Sequence, residues 1–326
     1  MIHVDDRRTR LEQWLNDALG GERFSLAPAS EDASFRRYFR AALADGRSFV
    51  IMDAPPEKED CRPFVHVAEL LAQAGVHAPK VHVADFGAGF LLLSDLGTRT
   101  YLAELQPENA DALMRDATGT LIRWQLATRP NELPPYDEAL LRREMNLFPE
   151  WYVARHRRLT LSDPQAQALE GVFATLVKSA LAQPAVYVHR DYMPRNLMVS
   201  EPNPGVLDFQ DAVIGPIAYD MVSLVRDAFM SWDEERVLDW SARYWERAKD
   251  AQLPVPADFA EFWRAFEWMG LQRHLKVLGI FARINYRDGK PRYLEDTPRF
   301  LGYARDVARR YRELSPLARL LDEIAP

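Results

Sequence analysis

Three side chains able to handle a proton and a metal ion fall close together in this chain. Asp191, Asn196 and Asp208 are separated by five and then twelve residues. The Asp191 carboxylate can accept the proton of a hydroxyl. The amide oxygen of Asn196 and the carboxylate of Asp208 are hard ligands that suit Mg²⁺, which normally takes only one or two carboxylates beside ATP phosphates and water. Phosphoryl transfer asks for this combination: an acceptor hydroxyl held in line, its proton removed, and the phosphate charge neutralised. The residue types therefore point to ATP and Mg²⁺, with Asp191 as base and Asn196 and Asp208 as metal ligands.

The neighbouring sequence can position them. Ala185-Val186-Tyr187-Val188 reads as a short strand entering the loop. Leu197-Met198-Val199 and Val206-Leu207 read as two small strands joined by a turn at Pro202-Asn203-Pro204-Gly205. Asn196 and Asp208 would then flank a hairpin and face each other across it. Three unrelated polar loop residues would be the bland alternative, but a strand, turn and strand between the second and third make it a poor fit.

Composition narrows the classes. The 326 residues are 48% apolar and 27% charged, enough for one large or two moderate domains with a substantial core. A formal net charge of −7 argues against a nucleic-acid partner, which would want a basic surface. No apolar run approaches the roughly 20 residues of a membrane helix. The charged start, Met1 to Arg8, has no signal-peptide apolar region, so a cytoplasmic location is expected. The single cysteine, Cys61, excludes an internal disulfide and a Cys-rich metal site. Nothing in the sequence names a protein partner.

Periodicity and turn residues sketch the rest. Residues 5–19 read as an amphipathic helix stopped by Gly20-Gly21. A first strand at 24–28 precedes a hairpin, 36–43 with 47–54, closed by Asp45-Gly46. A helix over 62–74 and two strands, 81–86 and 90–93, complete a five-stranded sheet with a helix. Beyond Ser94-Asp95-Leu96-Gly97 the chain turns mostly helical, with candidates at 107–127, 137–157, 164–182, 217–231, 233–250, 256–283 and 297–313.

The motifs H-R-D-Y-M-P-R-N, L-D-F-Q-D and G-P-I-A-Y-D-M-V-S-L resemble the aminoglycoside phosphotransferase and choline kinase family of protein-kinase-like enzymes. The resemblance implies an α+β, two-lobed protein-kinase-like fold. Residues 1–96 would form a small β-rich nucleotide-binding lobe, and 97–326 a large, mainly helical catalytic lobe. It implies that Asp220 supports the catalytic loop and that adenine docks on backbone groups around Ser94 to Leu96. Within the family, S-E-D-A-S-F-R-R-Y-F-R and L-Q-R-H-L-K-V-L-G-I-F-A-R are similar to bacterial kinases acting on the anomeric C1 hydroxyl of N-acetylmuramate and N-acetylglucosamine. Their products feed peptidoglycan recycling. A small-molecule amino sugar and ATP are then the expected partners. An aminoglycoside or choline acceptor, or a kinase-like binding protein without catalysis, stays open from the residues alone.

The chain departs from the kinase pattern in two places. Ser30 to Phe35 takes the place of the glycine-rich loop, where backbone N–H groups near Ser34 and Phe35 and the Ser34 hydroxyl could bind phosphate, a plain hairpin turn being the alternative. The third-strand lysine is missing, because the A-x-K position falls on Val50-x-Met52. Another cation has to compensate: Arg36, Arg37 or Arg40 on the preceding strand, or Arg195 inside the catalytic loop, facing the γ-phosphate. Glu69, on the helix that usually carries the lysine's partner, reads more simply as a solvated residue.

For the acceptor, Glu144 and Trp151 combine a carboxylate for hydroxyls with a face for sugar stacking. An amphipathic helix with a buried Trp explains them equally well. Arg273 and His274 share a long apolar helix with Gln272, Lys276 and Arg283, and a cation there could hold the lactyl carboxylate of N-acetylmuramate.

Overall fold

A computed structural model of the chain describes residues 4–31, 35–227 and 229–324. These form two compact units, Met1–Glu104 with Arg195–Asp211, and Leu105–Pro194 with Ala212–Pro326.

The first unit is a five-stranded antiparallel sheet with two main helices. Helix α1 (Val4–Ala18) leads into β1 (Phe24–Glu31), β2 (Arg37–Leu43) and β3 (Ser48–Asp53). Helix α2 (Arg62–Gln73), β4 (Val81–Asp85), β5 (Phe90–Ser94) and the single turn α3 (Tyr101–Glu104) follow. The sheet order is β1-β2-β3-β5-β4. The hairpin closes where the sequence expects it but on three residues, 44–46, and not on the two of Asp45-Gly46: Leu43 N–H donates to Arg47 O at 2.9 Å, and Gly46 alone of the loop takes a positive φ, +89°, which a side chain would resist. Leu11, Leu15 and Leu19 recur at helical spacing and bury against Phe39, Ala41, Ile51 and Leu92 of the sheet. Each contributes about 2 kcal/mol. Arg7 and Arg37 both pair with the wholly buried Asp53, which matches its buried charge.

Arg195–Asp211 groups with this unit, whereas a boundary at residue 96 assigns it to the other half. Backbone hydrogen bonds are the cause. Leu197–Met198 pairs with Gly205–Val206 as a two-stranded ribbon. Val199 N–H donates to Arg99 O at 2.8 Å, and Val206 N–H to His77 O at 2.7 Å. Phe209 then packs on Phe64 of α2, ring centroids 4.6 Å apart.

The second unit is helical around one small sheet. Helix α4 (Ala110–Leu126), α5 (Glu138–Met145), a π-helix (Phe148–His156) and α6 (Asp163–Ala182) come first. Strands β6 (Ala185–Val188) and β7 (Val213–Pro216) pair antiparallel. Helices α7 (Tyr219–Val225), α8 (Glu234–Asp250), α9 (Phe259–Asp288), α10 (Thr297–Arg310) and α11 (Ser315–Ile324) complete it. The predicted helix over 137–157 is divided, because Pro149 has no N–H to give residue 145. The predicted 217–231 helix ends at Val225, where Arg226 leaves helical backbone at φ −119°, ψ 60°. β7 and α11 were not anticipated.

Gly279 lets α9 pass close to the α5 side of this unit. A Cβ at that position would lie 2.3 Å from the Leu147 carbonyl carbon, so only glycine fits. The close approach matters because α5 carries Glu144 and α9 carries Lys276. No helix among the described residues is long and apolar enough to cross a membrane.

Candidate active site

The ribbon does what its sequence implies. Asn196 ends a 3-10 turn (Pro194–Asn196), Asp208 follows the second strand, and Leu207 N–H donates to Asn196 O at 2.9 Å. The Asn196 amide comes within 3.4 Å of the Asp208 carboxylate. Asp208 sits at φ +61°, a left-handed conformation that Asp tolerates better than most residues. Gln210 Nε2 donates to Asp208 Oδ1 at 3.1 Å. One carboxylate beside one amide, which can turn its oxygen into the same place, is the donor set Mg²⁺ uses with phosphates. No cluster of three His, Cys, Asp or Glu side chains occurs among the described residues, so a metal cage built wholly of protein carboxylates is not on offer there.

Ser94, Leu96, Arg195, Asn196 and Asp208 all line one cavity of about 300 Å³ within the first unit. Its apolar wall includes Val50, Leu93 and Leu207. Five of the sequence-predicted site residues are thus brought together. Phe35 and Arg37 are not among its lining residues. The Phe35 ring is exposed, with Lys58 Nζ 5.3 Å from its centroid. Arg37 is held by Asp53. Ser34 lies outside the described residues. Arg40 is committed to Asp95 at 2.6 Å and to the Gly97 carbonyl at 2.9 Å. Met52, at the lysine position, is buried, 3.5 Å from the Tyr38 hydroxyl through its sulfur. Glu69 is exposed. The Cys61 thiol is buried, and burial with Glu59 and Asp60 pushes it up to about 11, unsuited to a nucleophile.

Asp191 belongs to the second unit, where its loop is heavily braced. The carboxylate of Asp220, wholly buried, accepts His189 N–H at 2.7 Å and Arg190 N–H at 2.9 Å. Burial pushes the Asp220 carboxyl up to about 7, against the pull of those two N–H donors, and the neighbouring Asp191 charge adds to the rise. The Tyr192 hydroxyl donates to Ala117 O at 2.9 Å. Arg190 itself stands at φ +75°. Its guanidinium donates to Glu144 Oε1 at 2.5 Å.

Glu144 is the centre of a buried ionic network. Its carboxylate meets Lys276 Nζ at 2.9 Å, accepts the Tyr136 hydroxyl, and lies 3.4 Å from Gln272 Nε2. Lys276 Nζ also donates to the Tyr219 hydroxyl at 3.1 Å. Burial raises the Glu144 carboxyl, but Lys276 and Arg190 outweigh it and hold the group down at about 2. Burial lowers Lys276, and Tyr219 and Glu144 reverse that, so the ammonium is favoured. Both Glu144 oxygens are thus occupied by protein. The carboxylate expected at sugar hydroxyls is tied instead to Lys276 and to Arg190, in the loop that carries Asp191.

The other acceptor candidates lie in the same unit. Trp151 is half-buried in the π-helix. Arg273 is 3% exposed, and its Nε and Nη1 have no hydrogen-bond partner among the described residues. His274 is buried against Tyr303, ring centroids 5.1 Å apart, and burial with the Arg226 and Arg273 charges drives its imidazole well below the usual range, so it is neutral. Sequence reading missed Arg190 and the tie between Glu144 and Lys276. Two cations and a carboxylate at otherwise apolar positions of three segments were the available signal.

Comparison with known proteins places the chain in a family. The phosphotransferase enzyme family matches residues 25–269. An N-acetylmuramate/N-acetylglucosamine kinase of Pseudomonas putida is 54% identical over 99% of this chain and 98% of its own. One of Pseudomonas aeruginosa with the same name is 57% identical over 91% of this chain and 87% of its own. The crystal structure of a choline kinase of Streptococcus pneumoniae covers 90% of this chain and 99% of its own, with a TM-score of 0.64 at 12% identity, a likeness of fold alone.

Proposed function

We infer the function from one premise: the chain belongs to the phosphotransferase enzyme family. It transfers the γ-phosphate of ATP to the C1 hydroxyl of N-acetylmuramate and N-acetylglucosamine, giving sugar 1-phosphates for peptidoglycan recycling. The observation that carries this reading is the 54% and 57% identity, nearly end to end, with two kinases named for those sugars. A cytoplasmic location goes with it, since ATP is drawn from there.

The chemistry follows from the residues. Adenine docks on backbone groups of Ser94 to Leu96, against the apolar wall. Arg195 faces the γ-phosphate, and Phe35 belongs to the loop over the phosphates. Asn196 and Asp208 would hold Mg²⁺, which supplies neutralisation of phosphate charge. The C1 hydroxyl gives its proton to Asp191 as its oxygen bonds to the γ-phosphorus; the bond to the bridging oxygen breaks, and ADP leaves with that electron pair. Asp220 and the Glu144 network keep the Asp191 loop in its braced shape, so little reorganisation is needed at the moment of transfer. Arg273, with unpartnered guanidinium nitrogens, takes the lactyl carboxylate of N-acetylmuramate, and Trp151 offers its face to the sugar ring. Neutral His274 can give one hydrogen bond and accept one.

The test is turnover of purified protein with Mg²⁺ and ATP against N-acetylmuramate, N-acetylglucosamine, choline and kanamycin, with the product phosphate located by ³¹P NMR. A sugar 1-phosphate is expected from both amino sugars. Turnover of choline or kanamycin alone would overturn the acceptor assignment. Arg273→Met should damage N-acetylmuramate turnover more than that of N-acetylglucosamine, which has no carboxylate.

A further inference from the structure

We propose that Arg36 does the work of the missing third-strand lysine, binding the nucleotide phosphates from a position fixed by Glu59 and Asp208. The inference rests on the ATP-using reading above but not on the identity of the acceptor.

The problem is one of charge. A kinase of this kind needs a fixed cation on the phosphates, anchored by a carboxylate, and the strand that should supply it carries a buried Met52 instead. Sequence leaves four arginines to replace it. Arg37 is paired to Asp53, and Arg40 is held by both oxygens of Asp95. Both of those carboxylates have side chains at most 5% exposed, so each arginine is fixed in a structural ion pair. Arg195 lines the cavity but lies in the 3-10 turn ahead of the ribbon, away from the strand that should supply the cation.

Arg36 differs from all three. It immediately precedes β2, is 8% exposed, and approaches two carboxylates from separate segments. Its Nε lies 3.3 Å from Glu59 Oε1, and its Nη2 lies 3.6 Å from Asp208 Oδ1. Glu59 stands in the turn just ahead of α2, whereas Glu69 on that helix is exposed. Glu59 therefore supplies the anchoring carboxylate that the helix does not. The separation from Asp208 is an ion pair too long for a strong hydrogen bond. A guanidinium has five N–H donors in a rigid fork and can hold one carboxylate while presenting a second edge to phosphate oxygens. Because Asp208 is the proposed metal carboxylate, a cation at 3.6 Å from it borders the phosphates that share the ion.

Isothermal titration with ATP, ADP and adenosine, each with Mg²⁺ and with EDTA, tests the assignment. Arg36→Met should weaken ATP and ADP by roughly tenfold to a hundredfold, the worth of a charge-assisted hydrogen bond, in both conditions. Adenosine, without phosphates, should bind as before. Arg36→Lys should recover part of the loss, and Glu59→Gln should fall between the two. Should Arg36→Met lose its cooperative melt, Arg36→Gln carries the same comparison. Unchanged ATP affinity overturns the proposal, as does an equal loss for adenosine and ATP, the mark of a structural ion pair. A parent protein that binds neither ATP nor adenosine overturns the phosphotransferase reading beneath it, and this proposal with it.

Discussion

Two carboxylates of this protein live under opposite conditions. Asp208 has a side chain 38% exposed and a left-handed backbone, with the Gln210 amide at 3.1 Å, the Asn196 amide at 3.4 Å and Arg36 at 3.6 Å among its neighbours. Glu144 has a side chain 7% exposed and is gripped by Arg190, Lys276, Tyr136 and Gln272. The first is partly exposed and lines a cavity; the second is buried and saturated by protein. Oxygens that open onto a cavity can exchange solvent-exposed partners for an ion at small cost. Oxygens fully paired in a low-dielectric interior cannot, because separating them leaves buried charge uncompensated. The contrast supports ligand chemistry for one and positioning for the other, although the sequence read both as ligand groups, one for a metal and one for sugar hydroxyls.

The largest effect should come at neither carboxylate but at Asp191, the proposed base. Asp191→Asn removes the base and should lower kcat by about 10³-fold, within the range of general acid–base catalysis, while ATP affinity stays near that of the parent. A matching loss of ATP binding would move Asp191 to the nucleotide side of the comparison. Asp208→Asn should instead weaken Mg²⁺–ATP by about a hundredfold and barely change binding of free ATP in EDTA, read by titration calorimetry. Equal affinities in Mg²⁺ for parent and variant would remove Asp208 from the metal site.

Glu144→Gln should act on stability. It leaves Arg190 and Lys276 as uncompensated buried cations, and breaking such a pair costs about 3–5 kcal/mol in denaturant unfolding. Adding Lys276→Met should return part of that loss, since the two residues share one network. The same group sets an acid sensitivity. Its folded carboxyl lies at about 2, below its ordinary value, so its contribution is present above about 4.5 and lost as pH falls toward 2. The loss should reach about 3 kcal/mol at the low end, and in Glu144→Gln the stability curve should flatten over that window. An unaltered slope would mean that the carboxylate is no better paired folded than unfolded.

What could be read from sequence divides along the same line. The Asn196–Asp208 hairpin was legible because its strands and turn are local, so spacing alone fixes who faces whom. Ser94 and Leu96 came instead from the family resemblance, and they line the same cavity as Asn196 and Asp208. Glu144 was seen, but as a sugar ligand, because nothing local reveals that Gly279 lets α9 carry Lys276 to it. Arg36 was one of four candidate cations, but its ties to Glu59 and Asp208 were hidden, since they join separate segments and the second depends on the ribbon's return to the first unit. The one helix expected over 137–157 failed at Pro149, a breaker that was visible and underweighted.

The smallest effect tests whether the braced loop stores strain. Arg190 holds φ +75°, a region that favours glycine, and an Arg is retained there together with its pair to Glu144. Arg190→Gly and Arg190→Ala both lose that pair, so their difference reports backbone alone. If the left-handed conformation survives in both, the Gly variant should be the more stable by about 1 kcal/mol, because it meets no Cβ clash there. Ala should nonetheless keep the higher kcat if the loop's stiffness serves Asp191, since Gly widens the conformations open to it. Equal unfolding free energies would show that the loop relaxes once Glu144 lets go, which would make the ionic network, and not the Asp220 hydrogen bonds, the element that imposes the conformation.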